Sequence, residues 1–389
     1  MIQYQFSMKK PGEKLHIAMI GHKHVPSREG GVEVVVWELS KRLRDKGCAV
    51  DCFNRSGYHL KASDYDKIPG KKGCYRDGIR IITVPTARNP KYNAVIYAAL
   101  ATLRALFGRY DVIHFHAEGP CLFLWLPKLF GIRTVATVHG LDWQRAKWGN
   151  FASKMILLGE KTAVRHADEM IVLSRNVQEY FKKTYGRDTH YIPNGIFRPV
   201  KRDPKIITKE YGLKGDDYIL TLSRLVPEKG LHYLIEAYRG IDTDVKLVIA
   251  GGSGGARAYE EELRQMAGDD GRVIFTGFVS GEPLEELMSN AQIFCLPSDV
   301  EGMSVSLLEA MSYGNCCLVS DIAENLEVTG GMAESFAHGN TSALGESLKK
   351  LLSDAGLREK YRSASADYIL DRHNWDRMCA DTEKLYRGE

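Results

Sequence analysis

The sequence contains no run of about 18 consecutive apolar residues, the length that a membrane-spanning helix requires. The best candidate, residues 92–107, is interrupted by Asn93, Thr102 and Arg104. The eight cysteines include no C-x-x-C pair, so they predict reduced structural thiols rather than a disulfide framework or a zinc site. The amino terminus has no basic segment followed by an apolar one, so we expect no secretory signal and a cytoplasmic location.

Internal repeats and low-complexity segments are also absent, which argues against a solenoid and against a disordered chain. The 389 residues are 44% hydrophobic and 26% charged, as in an ordinary globular protein. Because a domain usually holds about 100–200 residues, the length predicts two domains.

The formal net charge of +4 hides an asymmetry between the two halves of the chain. Residues 1–200 contain 32 Lys and Arg against 17 Asp and Glu, whereas the remainder contains 21 against 32. The basic half is compatible with simple solubility and with attraction between the halves. A sharper interpretation is contact with an anionic membrane surface or a phosphorylated lipid. We expect no nucleic-acid partner, since no helix-turn-helix, zinc-finger or RNP-type signature is present.

Short apolar runs alternate with helical patterns along the chain, as in the βαβ units of parallel sheets. The predicted strands are 15–20, 48–53, 79–84, 111–116, 132–138 and 169–173, then 217–222, 245–250, 272–276, 292–297 and 316–320. A polar stretch with two prolines, residues 197–205, separates the two series. The fold class is therefore α/β, with two doubly wound, Rossmann-like domains at residues 1–198 and 199–389. The last helical pattern, residues 374–387, could belong to either domain.

Residues 223–231, SRLVPEKGL, form a cationic loop between a predicted strand and a predicted helix. Ligands of doubly wound sheets bind beyond the carboxyl ends of the strands, so we expect the two domains to face a shared cleft there. Arg224 and Lys229 would project from this loop. Arginine grips phosphate oxygens in a bidentate manner and lysine adds a point charge, so the pair suits a diphosphate. Two surface cations, one of them beside Glu228, are the alternative interpretation.

Residues 301–309, EGMSVSLLE, follow a strand that ends at Pro297 and open a helix. Ser304 is a plausible N-cap, which leaves free backbone N–H groups at the positive end of the helix. Glu301, in the loop, could accept hydrogen bonds from substrate hydroxyls. Glu309, in the helix, could hold a ribose diol. A helix start with a solvated glutamate is the alternative.

Two weaker patterns lie in the first half. Gly30 and Gly31 precede an amphipathic helix and would allow close backbone approach to a ligand, although they lack the lysine and hydroxyl of a P-loop. A tight strand-to-helix connection explains them equally well. His139 ends the strand at 132–138 and could bind a sugar hydroxyl, although a lone histidine is more often structural.

Three further motifs are interpreted as incidental. The set His114, His116 and Glu118 resembles a zinc site, but the spacing places no fourth ligand. Asp64-Tyr65-Asp66 is a D-x-D of the kind that metal-dependent sugar transferases use, but it does not follow an apolar strand. The stretch GGSGG at 251–255 does not match G-x-G-x-x-G, which disfavours a nicotinamide dehydrogenase. We therefore expect neither a metal ion nor another cofactor.

In this order the motifs resemble those of the retaining glycosyltransferases of the GT-B fold, in particular family four. The resemblance runs from Ile17 to about Tyr386 and is most specific in the second half. The family pattern there is R-x4-K followed by E-x7-E with a glycine after the first glutamate; this chain has Arg224, Lys229, Glu301, Gly302 and Glu309. Residues 192–196, IPNGI, match the family's usual entry to the second domain. Residues 21–33, GHKHVPSREGGVE, are similar to a subgroup with surface-polysaccharide rhamnosyltransferases.

The resemblance implies a role for each matching residue. Arg224 and Lys229 would hold the diphosphate of a nucleotide-sugar donor, with Gly30 and Gly31 also approaching the phosphates. The residues implied to contact the donor sugar are Glu301, His139 and the backbone of Gly302, Met303 and Ser304. Those implied to contact the nucleoside are Glu309, at the ribose, and the backbone from Gly277 to Val279, at the base.

The resemblance also implies the reaction, which is metal-independent transfer of a hexose or deoxyhexose with retention of the anomeric configuration. The donor would be a UDP-, dTDP- or GDP-sugar. The acceptor would be a glycan or, as the basic first half suggests, a polyprenyl-diphosphate-linked sugar at the inner membrane face, in surface polysaccharide or glycoconjugate synthesis. Two other functions stay open: a nucleotide-sugar 2-epimerase on the same fold, against which E-x7-E argues, and a non-catalytic sugar-nucleotide-binding protein.

Overall fold

The computed structural model describes residues 13–57, 65–66, 73–87, 89–144, 149–253 and 257–389. These residues form two compact units. Unit 1 contains the described residues up to Gly195 together with Trp375–Glu389, and unit 2 contains Ile196–Asn374. The sequence pattern predicted a boundary between residues 198 and 199 and left the last helix open; in the structure that helix is part of unit 1.

Unit 1 is built on one eight-stranded sheet. Its strands are β1 (His16–Ile20), β2 (Ala49–Arg55), β3 (Cys74–Arg76), β4 (Ile79–Val84), β5 (Val112–His116), β6 (Arg133–Val138), β7 (Glu169–Val172) and β8 (His190–Tyr191). They are ordered β3-β4-β2-β1-β5-β6-β7-β8, and only the β3–β4 pair is antiparallel. All five residues of β5 are buried, as expected for a central strand that is covered on both faces.

Helices cover both faces of this sheet. They are α1 (Gly31–Asp45), α2 (Pro90–Leu106), α3 (Trp125–Leu129), α4 (Asn150–His166), α5 (Arg175–Tyr185) and, from the end of the chain, α14 (Trp375–Arg387). The buried side chains of α1 and α14 share one core with the sheet. Those of α2, α4 and α5 share a second core on the other face. In the ranges that the structure describes, no helix combines the length and the apolarity that crossing a bilayer demands.

Specific polar contacts attach α14 to the rest of unit 1. Arg42 Nε of α1 lies 2.8 Å from Asp376 Oδ1, and Lys46 Nζ lies 2.9 Å from Glu383 Oε2. Inside the unit, the hydroxyl of Tyr386 lies 2.6 Å from Nδ1 of His114 in β5. Trp375 and Met378 of α14 are also buried in the core that α1 shares with the sheet, so α14 completes the packing on that face of the sheet.

Unit 2 is built on a six-stranded sheet that is parallel throughout. Its strands are β9 (Tyr218–Leu222), β10 (Lys246–Ala250), β11 (Val273–Gly277), β12 (Ile293–Leu296), β13 (Cys316–Ser320) and β14 (Glu334–Phe336). Its helices are α6 (Ile206–Tyr211), α7 (Leu231–Arg239), α8 (Arg257–Ala267), α9 (Glu282–Asn290), α10 (Val305–Ser312), α11 (Ala323–Thr329), α12 (Thr341–Ser353) and α13 (Ala355–Arg372). The strand order is β11-β10-β9-β12-β13-β14.

The prediction of two doubly wound, Rossmann-like α/β domains is confirmed. Each of the eleven predicted strands coincides with a strand of the structure. Three strands were not predicted, namely β3, β8 and β14. They contain only two or three residues each, which is too few for an apolar pattern to stand out from a loop.

Candidate active site

The carboxyl edge of the unit 2 sheet contains a point where the chain changes direction. From β9 the chain continues to β10 and β11 on one side, whereas β12 lies on the other side of β9 and is followed by β13 and β14. The loops after β9 and β12 therefore leave in opposite directions and open a crevice in which doubly wound sheets bind ligands. Arg224 and Lys229 follow β9, and Glu301 follows β12. The structure thus brings the two predicted cations and the first predicted glutamate to this switch point.

Gly230 allows the two loops to approach each other. Its φ of 64° lies in the left-handed region. A Cβ at this position would lie 2.0 Å from the carbonyl oxygen of Pro297, which follows β12. The N–H of Asp299 also donates to the carbonyl of Glu228 at 3.0 Å. Because only glycine fits this contact, the loop that carries Lys229 is fixed to the loop that carries Glu301.

Lys229 and Glu301 form an ion pair. Lys229 Nζ lies 2.5 Å from Glu301 Oε1, and the side chains are only 14% and 6% exposed. The same carboxylate oxygen accepts a hydrogen bond from Ser298 Oγ at 2.7 Å. Because charge-assisted bonds of this kind are short and directional, the ammonium group is oriented before any ligand arrives.

A second set of residues, which the sequence analysis did not identify, supports this carboxylate. Ser320 Oγ, at the end of β13, donates to the carbonyl of Ser298 at 2.5 Å. Asn325 Nδ2, in α11, lies 3.0 Å from Ser320 Oγ. All three side chains are buried. Serine and asparagine are common in loops, so only their position after two adjacent strands could have indicated a role in positioning Glu301.

Arg224 differs from Lys229 in its surroundings. The residue is half-buried. Within the described part of the chain, its guanidinium has no hydrogen-bond or ion-pair partner. Its backbone is nevertheless fixed, because the N–H of the next residue, Leu225, donates to the carbonyl of Gly252 at 3.0 Å. The backbone therefore places the side chain at the switch point, and its five N–H donors remain available to phosphate oxygens.

The N-terminus of α10 lies in the loop that follows Glu301. Ser304 is its N-cap, and its side chain accepts a hydrogen bond from Leu307 N at 3.3 Å. Gly302 and Met303 are buried beside it. The predicted cap is therefore present, and the first turn of α10 directs its remaining backbone N–H groups toward this loop. Glu309 is half-buried in the middle of α10, five residues beyond the cap.

The end of β11 adds an open backbone segment to the same sheet edge. The carbonyl of Gly277 accepts a hydrogen bond from Gly251 N at 2.8 Å, which ties it to the end of β10. Gly277 has φ 70°, and a Cβ placed there would meet no atom within 4 Å. The next residue, Phe278, is 55% exposed, and Val279 is half-buried. A flat aromatic ligand therefore has room beside this backbone.

Glu228 is a further residue that the sequence analysis treated only as a neighbour of Lys229. Its side chain is buried, and neither carboxylate oxygen has a hydrogen-bond partner within the described part of the chain. Burial of an unpartnered carboxylate costs free energy, so its presence in this loop marks it as part of the candidate site.

In unit 1, the predicted glycines lie at the start of α1. Gly30 is the N-cap, with extended backbone at φ −152°, and Gly31 is the first helical residue. The buried carboxylate of Glu33 folds back on this end of the helix, where its Oε1 accepts a hydrogen bond from Lys23 N at 2.9 Å. A phosphate that approached Gly30 would also meet this negative charge, which the glycine pattern alone does not reveal.

His139 belongs to a buried group of histidines in unit 1. Its Nε2 lies 3.1 Å from His116 Nδ1, and the ring of His116 packs on that of His114, with 4.0 Å between the ring centroids. Burial lowers the pKa of His114 to about 3. Burial and the neighbouring histidines hold the pKa of His116 well below its usual value. Both rings are therefore neutral near pH 7, so His139 is positioned by a hydrogen bond and not by a charge.

Of the three motifs that we interpreted as incidental, the structure describes the histidine set completely and the other two in part. Both ring nitrogens of His114 lie within hydrogen-bond distance of hydroxyl groups, those of Tyr386 and Thr137. Across the described ranges, no group of three or more His, Cys, Asp or Glu side chains could hold a metal ion. Asp64 of the D-x-D motif, and residues 254–255 of the glycine-rich stretch, lie outside the described residues.

We expect Gly230→Ala to destabilise unit 2 by about 1–3 kcal/mol, because a Cβ would overlap the Pro297 carbonyl and the left-handed backbone disfavours alanine. Chemical denaturation of the full chain measures this loss. Gly271→Ala is a matched control, since a Cβ there meets no atom within 4 Å. Equal stability of the two variants would contradict the close approach of the loops.

Two family models match the chain, one in each unit. The model described as Glycosyltransferase Family 4 matches residues 29–197, and the model described as Glycosyl transferases group 1 matches residues 204–367. The first range ends two residues beyond the boundary between the units and the second lies within unit 2; together they include every predicted site residue.

The chain is also similar to known proteins over nearly its whole length. An uncharacterized glycosyltransferase of Methanocaldococcus jannaschii is 26% identical, with 96% of this chain and 98% of that protein covered. The GDP-mannose-dependent alpha-(1-6)-phosphatidylinositol monomannoside mannosyltransferase of Mycobacterium tuberculosis is 28% identical, with coverage of 94% and 96%. Anabaena HepE, solved in complex with UDP and glucose, has a TM-score of 0.79 at 18% identity, with 96% of this chain and 100% of that chain covered.

Both family models describe glycosyltransferases, both full-length relatives are named as such, and the fold likeness extends over both units. The chain therefore belongs to the family-four glycosyltransferases of the GT-B fold and is an enzyme that transfers a sugar from a nucleotide donor.

Proposed function

We propose that this glycosyltransferase retains the anomeric configuration of the transferred sugar and needs no metal ion. The observation that supports the proposal is the pair of cations at the unit 2 switch point. Arg224 presents a guanidinium without an intramolecular partner in the described chain, and Lys229 presents an ammonium that Glu301 orients. These two cations and a helix N-terminus supply the positive potential that a departing diphosphate requires.

In the proposed reaction the bond between the anomeric carbon and the donor phosphate breaks. The acceptor oxygen forms the new bond to the same face of the sugar ring. The acceptor proton passes to the departing phosphate oxygen, so no protein side chain has to act as the general base. The leaving diphosphate gains negative charge as the bond breaks, and Arg224 and Lys229 stabilise that charge most strongly in the transition state.

The other site residues receive the roles that the resemblance implies. We assign Glu301 and the backbone of Gly302, Met303 and Ser304 to the donor sugar, because they precede α10 at the switch point. We assign Glu309 to the ribose, and the open backbone from Gly277 to Val279 to the base. In unit 1 we assign Gly30 and Gly31 to the donor phosphates and His139 to the donor sugar. Phosphates bound at Gly30 would lie near the carboxylate of Glu33, which opposes their negative charge.

We propose a glycan or a polyprenyl-diphosphate-linked sugar at the inner membrane face as the acceptor, in surface polysaccharide or glycoconjugate synthesis. Positions 1–200 contain 32 basic and 17 acidic residues, and this excess of positive charge suits binding of an anionic lipid. The mannosyltransferase relative acts on a phosphatidylinositol monomannoside, which is also an anionic lipid acceptor. The resemblance to rhamnosyltransferases stays a prediction.

Incubation with a panel of UDP-, dTDP- and GDP-sugars tests the proposal. We expect one donor to raise the melting temperature and to be hydrolysed slowly, with release of the free nucleoside diphosphate. Analysis of the anomer first released distinguishes retention from inversion. Conversion to an epimeric donor would instead identify an epimerase, and stabilisation without turnover would identify a non-catalytic binder. Either of those outcomes, or release of the inverted sugar, contradicts the proposal.

A further inference from the structure

Unit 1 concentrates its exposed apolar side chains in one part of its sequence. The described residues of this unit expose ten large apolar side chains, and all ten lie between positions 92 and 158. They are Tyr92, Ile96, Leu100, Leu103, Phe107, Trp125, Leu129, Phe130, Phe151 and Leu158. Phe107 is 86% exposed and Leu129 is 72% exposed, so the most accessible members are fully presented to solvent. Isolated exposed apolar residues are ordinary, but a cluster marks an interaction site.

These side chains share one layer of the fold. Tyr92, Ile96, Leu100 and Leu103 are spaced by three or four residues and therefore form one stripe along α2, and Phe107 follows directly after the helix. The inward side of the same helix, with Tyr97, Ala101 and Ala105, packs in the second core of unit 1. Residues of α3, α4 and the short 3-10 turn Pro120–Phe123 pack in the same layer, with α2 beside that turn and α3 beside α4. We call the outer surface of this layer, with its ten apolar side chains, the α2–α4 face.

The α2–α4 face carries positive charge, and the described residues between positions 89 and 166 include no exposed carboxylate. Its exposed basic residues include Arg104, Lys154, Lys161 and Arg165, whereas Lys128 forms an ion pair with Asp168. Four acidic residues occur between positions 89 and 166, of which Glu118 and Glu160 are buried and Asp111 and Asp142 are half-buried. On α4 the exposed positions 151, 154, 158, 161 and 165 combine two apolar side chains with three basic ones. Such a face combines apolar area with cations that reach outward on long stems.

We propose that the α2–α4 face docks on a bilayer surface that contains anionic lipid. The apolar tips enter the headgroup region, while the lysines and arginines contact lipid phosphates. A second copy of this chain fits the face less well, because a symmetric contact would bring together Lys154, Lys161 and Arg165 of both copies, for which the described residues show no ion-pair partner. The inference rests on the proposed membrane-borne acceptor, for which it names the surface that brings the enzyme to the lipid.

Co-sedimentation of the full chain with vesicles tests this surface. We expect the wild-type protein to bind vesicles of phosphatidylcholine with phosphatidylglycerol more strongly than vesicles of phosphatidylcholine alone, and less strongly as salt is added. The double variant Leu103→Asp with Phe107→Asp should bind at least about tenfold more weakly to both kinds of vesicle. The double variant Lys154→Glu with Lys161→Glu should lose about tenfold only on the anionic vesicles.

Matched substitutions in unit 2 serve as controls. Leu326→Asp removes an apolar side chain that is 43% exposed, and Lys349→Glu reverses an exposed charge; both should bind like the wild type. Wild-type protein that stays in the supernatant, or that binds equally at low and high salt, overturns the proposal. So does a stable dimer in vesicle-free solution that the Leu103→Asp, Phe107→Asp variant loses. Vesicle-free donor hydrolysis is measured in parallel, so a failure to dock is distinguished from a failure of the proposed reaction.

Discussion

Lys229→Ala should lower the turnover of the preferred nucleotide sugar by about 10²–10³-fold, which is the loss expected when one preorganised stabiliser of developing charge is removed. The structure places the lysine ammonium 2.5 Å from Glu301 Oε1 and leaves it only 14% exposed. A cation held in such a position interacts with the departing diphosphate more strongly than a solvated lysine does. Steady-state release of nucleoside diphosphate measures the loss.

Two further variants separate this effect from simple destabilisation. Lys229→Ala leaves Glu301 buried with only Ser298 as a described partner, so we expect a loss of stability of about 1–3 kcal/mol as well. Lys229→Met combined with Glu301→Gln removes both charges, so it should regain much of that stability without regaining turnover. Lys349→Ala, at an exposed position of unit 2, should match the wild type in both measurements. A Lys229→Ala enzyme that keeps a third of the wild-type turnover would count decisively against the proposed role.

The sequence is sufficient to predict the two sheets because most of their strands are near-continuous apolar runs. β5 and β13 are buried at every position, as parallel strands covered on both faces must be. The helical patterns between them then require crossover connections and a doubly wound topology. The position of α14 was not predictable in this way. Its attachment to unit 1 depends on contacts such as Arg42 with Asp376, which lie far apart in sequence.

The candidate site, like the fold, could be predicted from the sequence only in part. The charged residues could be predicted, since a strand end followed by R-x4-K or by E-x7-E is a local pattern. The supporting residues could not, because Ser298, Ser320 and Asn325 act through hydrogen bonds that join the loop after β12 to the end of β13 and to α11. The contact of Gly230 with Pro297 likewise joins two loops, those after β9 and β12. Sequence therefore indicates which residues carry charge, whereas the fold determines how each charge is held.

The fold holds Lys229 and Arg224 in different ways, although the sequence pattern predicts the same role for both. Lys229 contributes to an ion pair of unit 2 and is therefore part of the folded structure as well as of the proposed chemistry. The guanidinium of Arg224 makes no hydrogen bond or ion pair with any other described residue. Its removal should therefore affect ligand binding and catalysis with little effect on folding.

We accordingly expect Arg224→Ala to have a free energy of unfolding within about 0.5 kcal/mol of that of the wild type. Its kcat/KM for the donor should fall by about 10²–10³-fold. Arg224→Lys should recover part of this loss, because it restores the charge without the planar fork that binds two phosphate oxygens at once. Arg239→Ala removes a guanidinium at the far end of α7 and should leave donor kinetics unchanged. If Arg224→Ala instead lowered stability and kept its donor kinetics, the guanidinium would serve the fold. Other groups would then have to stabilise the diphosphate. That result would contradict our expectation that an unpartnered arginine at the switch point binds the ligand.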